Sequence, residues 1–282
     1  MAPESASRAS GGGERDRLPD ARLGFYEKVV SAFMPDRSAS VLVVGGGLRD
    51  KEVFEKLHFQ NVVFCNLDPR ATAASFAPYQ WSFQDAEALT FEAGSFDYVV
   101  AHAVLHHCHS PHRALLEMYR VARRGALGLE ARDSALMRLF ERFQLTQLYE
   151  QTAVLQNDSR YGGVRNTAIP NFIFRWTERE VEKTIKSYAP HARHRFEYHY
   201  GHDAPATAQF EAVGAKRALI AAAAPFYKVF AALFPKQQNL FAFCIPKPVA
   251  PGDMQPWVSW QEGVMSFNSA WAERRYVRRL EP

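Results

Sequence analysis

Residues 40–50, Ser40-Val41-Leu42-Val43-Val44-Gly45-Gly46-Gly47-Leu48-Arg49-Asp50, decide the fold. Val41 to Val44 form a continuous apolar run, as a strand buried on both faces requires. The run stops at three glycines, and Lys51 to Leu57 then reads as helix. Glycines in such a turn let the backbone pass close to a ligand, and the helix after them offers free N–H groups and a positive dipole end. Strand, glycine turn and helix open an α/β unit whose ligand edge is the carboxyl end of the sheet.

Working outward, the alternation continues. Asn61 to Cys65 reads as a second strand that ends at Asn66-Leu67-Asp68-Pro69, and a third around Tyr79 to Phe83 runs into Gln84-Asp85-Ala86-Glu87. Phe96 to Val100 reads as a fourth strand and enters a histidine-rich stretch. A helix over Pro111 to Arg123 and a fifth strand over Gly125 to Leu129 follow. Strands separated by helices imply parallel pairing with right-handed crossovers. Arg193 to Tyr200 and Leu240 to Ile245 supply strands six and seven. The predicted fold is α/β: a doubly wound, mostly parallel seven-stranded sheet, helices on both faces, and a helical cap inserted after strand five.

Residues 1–20 are too polar to bury a core and are expected to be disordered. A short helix with Leu23, Phe25, Val29, Val30 and Phe33 follows. Residues 21–246 are read as one catalytic domain, with a cofactor-binding core at about 38–132 and a cap or substrate region at about 133–235. Residues 247–282 form a C-terminal extension. Within the cap, Ser134 to Gln151 reads as one helix, and Thr177-Glu178-Arg179-Glu180 is a capping box that starts another, ending at Tyr188.

Composition narrows the function. The net charge is only +4, and the basic cluster Arg274-Arg275-Tyr276-Val277-Arg278-Arg279 reads as a solvated helix face rather than a nucleic-acid groove. Three scattered cysteines, with no CxxC pair, make no disulfide framework and suit a reducing compartment. Met1 to Asp20 lacks the apolar core of a signal peptide. Ala218 to Phe234, interrupted by Pro225 and Lys228, is a marginal span at best. The expectation is a cytoplasmic protein with no transmembrane segment and no nucleic-acid partner.

The candidate ligand residues are Gly45, Gly46 and Gly47, with Asp68 at the next strand end. A carboxylate there can accept hydrogen bonds from ribose hydroxyls. A dinucleotide fingerprint wants a further glycine where Asp50 stands, which argues against a nicotinamide cofactor.

The succession Asp85-Ala86-Glu87-Ala88-Leu89-Thr90-Phe91, Gly94-Ser95-Phe96-Asp97-Tyr98-Val99-Val100 and Val104-Leu105-His106-His107 resembles the class I S-adenosylmethionine-dependent methyltransferases, in their "DAExLxF…SFDxV…LHH" pattern. Pro111 to Arg123 continues the pattern, and the resemblance covers roughly residues 38–132. It implies S-adenosylmethionine as cofactor. Gly45 to Gly47 would face its methionine portion, Leu67 and Asp68 its ribose, Asp85 and Ala86 its adenine, and Ala101 and His102 its sulfonium end. Two positions depart from the pattern. Val43 stands where the family usually has an acid, and Arg49 where it has a third glycine; Asp50 is a partial substitute for the acid.

His106 and His102 are the candidate proton-handling residues, since imidazole titrates near neutral pH. Five histidines between 102 and 112 superficially suggest a metal site, but the double histidine belongs to the family pattern, and no metal is expected. His107, Glu130, Tyr161 and Arg165 are candidates for the acceptor side, and Asn171 lies in the same polar and aromatic stretch. The resemblance implies methyl transfer to a small-molecule acceptor, most commonly to oxygen, and the aromatic residues after 138 favour a partly apolar one. The alternative is a catalytically inactive, methyltransferase-like binding protein, motivated by Val43 and Arg49.

Overall fold

The computed structural model describes residues 21–203 and 214–276. The disorder expected for 1–20, and Val277 to Arg279 of the basic cluster, lie outside the described residues. The chain opens with α1 (Ala21–Phe33) and β1 (Ser40–Val44), then α2 (Leu48–Lys56), β2 (Asn61–Asn66), α3 (Ala73–Phe76) and β3 (Gln80–Phe83). β4 (Phe96–His102), α4 (Pro111–Val121) and β5 (Ala122–Ala131) complete the first half. The second half has α5 (Ala135–Arg142), α6 (Gln151–Gln156), α7 (Glu178–Tyr188), β6 (Glu197–Gly201), α8 (Gly214–Leu233) and β7 (Leu240–Pro246). The sheet order is β3-β2-β1-β4-β5-β7-β6. The first five strands are parallel, and β7 runs antiparallel between β5 and β6.

The period of two along each strand divides the interior into two layers. Val41 and Val43 of β1, with Tyr98 and Val100 of β4, pack under Tyr26, Val30 and Phe54 of α1 and α2. Leu42 and Val44, with Val99 and Ala101, face the other way, onto Leu115 and Met118 of α4 and Val181 and Ile185 of α7. Burying a Val or Leu on either face contributes about 1.5–3 kcal/mol. Both faces are covered, so the apolar runs are continuous.

The single helix expected over 134–151 is instead only α5, eight residues long, and the next helix, α6, starts at Gln151. α5 stops at Arg142, where Gln144 takes a left-handed φ of 54° and Leu145 N–H closes on Phe140 O. The chain then runs without helix to Gln151. α7 starts at the expected capping box, with Thr177 Oγ1 accepting from Glu180 N–H and the Glu180 carboxylate accepting from Thr177 N–H. Strand six begins later than expected, at Glu197. Trp176, fully buried, packs between His112, Phe174 and Phe243 and so fixes this segment to α4 and β7. The C-terminal extension forms a hairpin, β8 (Val258–Gln261) and β9 (Val264–Phe267), and a short helix, α9 (Ser269–Glu273). Among the described residues no helix is long and apolar enough to cross a membrane.

Candidate active site

The carboxyl ends of β1 to β4 open onto a crevice of about 570 Å³, within the size range of small-molecule sites. Gly45, with φ of +65°, leaves β1 in a conformation that favours glycine, and a Cβ there would collide with the side chain of Val104. Gly46 lies against the Phe64 ring, where a Cβ would come to 2.7 Å. Gly47 caps α2, and the Asp50 carboxylate accepts from its N–H at 2.8 Å. Arg49 stands in the first helical turn, exposed and lining the crevice.

Asp50 makes a second contact, 2.8 Å from Nδ1 of His102 at the end of β4. The His102 ring stacks on Tyr26 at 4.3 Å, and its Nε2 is buried with no hydrogen-bond partner among the described residues. The next residue, Ala103, holds a positive φ of 53°, a strained backbone of the kind found at functional sites.

Asp68 faces the crevice but is already paired. It accepts from Arg70 Nε and NH2 at 2.9 and 2.7 Å, and these bonds hold its carboxyl below the usual range. Arg70 in turn lies 4.3 Å over the Tyr161 ring. Beside Leu67, Asn66 was not among the expected site residues. Its side chain donates to Gly46 O at 2.8 Å and accepts from Asp68 N–H, tying the glycine turn to the loop after β2. The only trace of it in the sequence is an amide ending an apolar strand.

Asp85 is paired too, with Arg165 NH1 at 2.7 Å. Arg165 reaches it from a left-handed backbone, φ 49°, and also contacts Glu87 at 3.3 Å. Glu87 is buried and accepts from the N–H groups of His109 and Ser110, which pins the loop before α4. Ala86, nearly buried, lines the crevice between the two acids. The structure therefore places Arg165, expected on the acceptor side, on Asp85, and Tyr161 under Arg70, the partner of Asp68.

A second group lies beyond Val104, where the chain makes one 3-10 turn at Leu105–His107. Glu130, from the end of β5 and almost fully buried, accepts from Val104 and Leu105 N–H at 2.9 and 2.7 Å. Its other oxygen lies 2.5 Å from His106 Nδ1. Nε2 of His106 meets Glu150 Oε2 at 3.1 Å, and Nε2 of His107 meets the same oxygen at 3.3 Å. Burial pushes the His106 imidazolium toward losing its proton, but Glu130 and Glu150 outweigh it and raise the pKa to about 9. Burial likewise favours protonation of Glu150, and its contacts with His106 and His107 outweigh that, bringing it down to about 2. His107 is shifted the other way, lowered by burial and then by the charge of His106. At neutral pH His106 therefore carries two N–H bonds to carboxylates and has no free lone pair. Glu150 sits in the segment expected to be helix, its partner Asn171 in the polar and aromatic stretch named from the sequence, and nothing local in the sequence marks Glu150.

Residues 44–129 match the family model described as a methyltransferase domain. S-adenosylmethionine is the cofactor that accompanies this match, and the crevice fits it. Glycines that a Cβ would crowd, carboxylates at two successive strand ends and His102 all line one cavity. No curated protein matches the chain. Among solved structures, a chain of the complex between the Haloferax volcanii Trm112 methyltransferase activator and a methyltransferase is similar at 14% identity and TM-score 0.49, over 81% of this chain and 90% of that one. The magnesium protoporphyrin IX methyltransferase from Synechocystis PCC 6803, with bound S-adenosylhomocysteine, is similar at 10% identity and TM-score 0.49, over 81% and 85%.

Proposed function

We propose that the chain transfers the methyl group of S-adenosylmethionine to oxygen of a small or partly apolar acceptor, such as a specialised metabolite, sugar or lipid derivative. The observation that carries this reading is the meeting of the glycine turn, Asp68, Asp85 and His102 in one crevice. When bound, the cofactor supplies a methyl group activated by its sulfonium. The chain's own task is then mainly alignment, because an in-line displacement depends on it above all.

In this reading the Gly45–Gly47 turn receives the methionine portion. Leu67 and Asp68 receive the ribose, and Asp85 with the Ala86 N–H receives the adenine edge. Ala101 and His102 line the reacting end. His102, its Nδ1 held by the Asp50 carboxylate and its ring stacked on Tyr26, is the candidate proton-handling group at that end. His106, bracketed by Glu130 and Glu150, fixes the acceptor side by its charge. His107 and Glu150, each keeping about a quarter of the side chain exposed at 25% and 28%, offer an acceptor hydroxyl its first polar contacts.

A second reading is a methyltransferase-like binding protein without turnover. It is favoured by Arg70 on Asp68 and Arg165 on Asp85, since both acids are neutralised by the chain itself. Calorimetric titration with S-adenosylmethionine and S-adenosylhomocysteine tests the first reading. Micromolar binding of both, at one site per chain, is the expected result. Binding without methyl transfer across a screen of hydroxylated acceptors, or no cofactor binding at all, favours the second.

A further inference from the structure

We propose that His106, His107 and Glu150 bind a divalent first-row transition ion, zinc by preference, on the acceptor side of the crevice. The two imidazole Nε2 atoms lie 3.1 and 3.3 Å from one carboxylate oxygen, and all three atoms fall within 4.8 Å of one another. With bonds of about 2.0–2.1 Å, the edge of a tetrahedron is about 3.3–3.4 Å. The two nitrogen–oxygen edges are thus already close to those of a tetrahedral site.

The surroundings favour ligation over a fortuitous cluster. A metal-binding imidazole usually has its other nitrogen fixed by a carboxylate or a backbone carbonyl, which orients the ring. Both cases occur here. His106 Nδ1 is held by Glu130, itself anchored on two backbone N–H groups, and His107 Nδ1 is held by Gly163 O at 3.3 Å. Each ring thus presents Nε2 to the same point, and an ion there displaces the proton that His106 Nε2 shares with Glu150, which leaves to solvent.

Asn171 supplies an independent sign. It is 3% exposed, its amide nitrogen donates to Glu150 Oε2 at 3.3 Å, and its Oδ1 is buried with no hydrogen-bond partner among the described residues. A buried amide oxygen without a donor is costly, by about 1–3 kcal/mol. A half-turn of the amide would bring that oxygen to the carboxylate side, which is unfavourable unless a cation stands there. No lysine or arginine among the described residues pairs with Glu130 or Glu150.

The donor set narrows the ion. Two imidazoles and one carboxylate, with no thiolate, suit zinc or a neighbouring transition ion and leave a position open for water or substrate oxygen. Cys108 is turned away, its Sγ toward Val104 O at 3.8 Å. His107 also lines the crevice, so an oxygen on the open position would face the cavity of the reaction proposed above. Ion binding itself does not depend on that reaction.

The test uses the full chain, stripped with a chelator. Cobalt(II) is titrated while visible absorption is followed, and zinc is titrated with melting temperature as readout. Expected are one equivalent bound at micromolar affinity or tighter, the intense d–d bands of a four-coordinate site, and a higher melting temperature with zinc. Glu150→Gln and His107→Gln should each weaken binding by about 100-fold or more, and Glu130→Gln by about 10–100-fold through the orientation of His106. Absence of the cobalt bands in the wild-type chain, binding only at millimolar ion, or unchanged binding in the Glu150→Gln, His107→Gln double variant each overturns the proposal. Circular dichroism confirms that the variants fold. Titration of the stripped wild type with S-adenosylhomocysteine separates failure of the ion site from failure of the methyltransferase reading.

Discussion

The two walls of the crevice are built by different means. One wall is the strand edge: Gly45 to Gly47, Asn66 to Asp68, Asp85 and His102 follow from β1, β2, β3 and β4, which are locked in parallel register, with all but the edge strand β3 buried on both faces. The other wall is the segment 157–166, held by side chains. Arg165 bonds to Asp85, Asn166 Nδ2 to Leu67 O at 3.2 Å, Asn157 Oδ1 to Arg70 at 3.2 Å, and Gly163 O to His107. A backbone ladder is cooperative and insensitive to any one side chain, whereas a loop pinned by partly exposed polar pairs opens at low cost. The strand wall sets where a ligand lies, and the loop wall sets how it is covered.

The largest expected effect breaks the base of the strand wall. Glu130→Ala leaves the His106 charge and two N–H groups without their buried partner and should destabilise the chain by about 3 kcal/mol or more, read by urea unfolding. The same pair has a pH signature in the metal-free protein. Because the folded pKa of His106 is raised from 6.5 to about 9, its contribution is fully present below about pH 6.5 and is lost as pH rises toward 9. Stability measured from pH 6 to 9.5 should fall along that limb, and His106→Gln should flatten it. An unchanged slope in the variant would mean that His106 is not the group titrating.

Gly45→Val should cost about 2–4 kcal/mol, because a branched side chain would meet both the positive φ and Val104. A smaller loss in thermal unfolding would show that the turn is less rigid than the strand behind it. Asp68→Ala and Asp85→Ala should each weaken cofactor binding by about 1 kcal/mol, the low end for a lost acceptor, since Arg70 and Arg165 already hold these groups in the free protein. Calorimetry distinguishes this from the tenfold or greater loss of an unpaired acid. The smallest effect belongs to the loop wall. Arg165→Ala, at a half-exposed pair, should change folding stability by less than about 1 kcal/mol while increasing amide hydrogen exchange across 161–166.

What the sequence could reveal follows the same division. The strands around Val41 to Val44, Asn61 to Cys65 and Phe96 to Val100 were readable because burial on both faces leaves short apolar runs, Val41–Val44, Val62–Cys65 and Tyr98–Val100, a local signal. The Thr177 capping box was readable for the same reason. The expected helix over 134–151 failed because its stop at Gln144 depends on one backbone angle that no residue type there demands.

By itself, then, the sequence determined the individual strands, the glycine turn and the acids at the strand ends, since each leaves a pattern within a few residues. Only the tertiary structure decided the rest. Glu150 reaches His106 across 44 residues and Arg165 contacts Glu87 across 78. Long-range polar pairs leave no periodicity in the chain, because their partners are chosen by how the segments pack and not by what stands beside them.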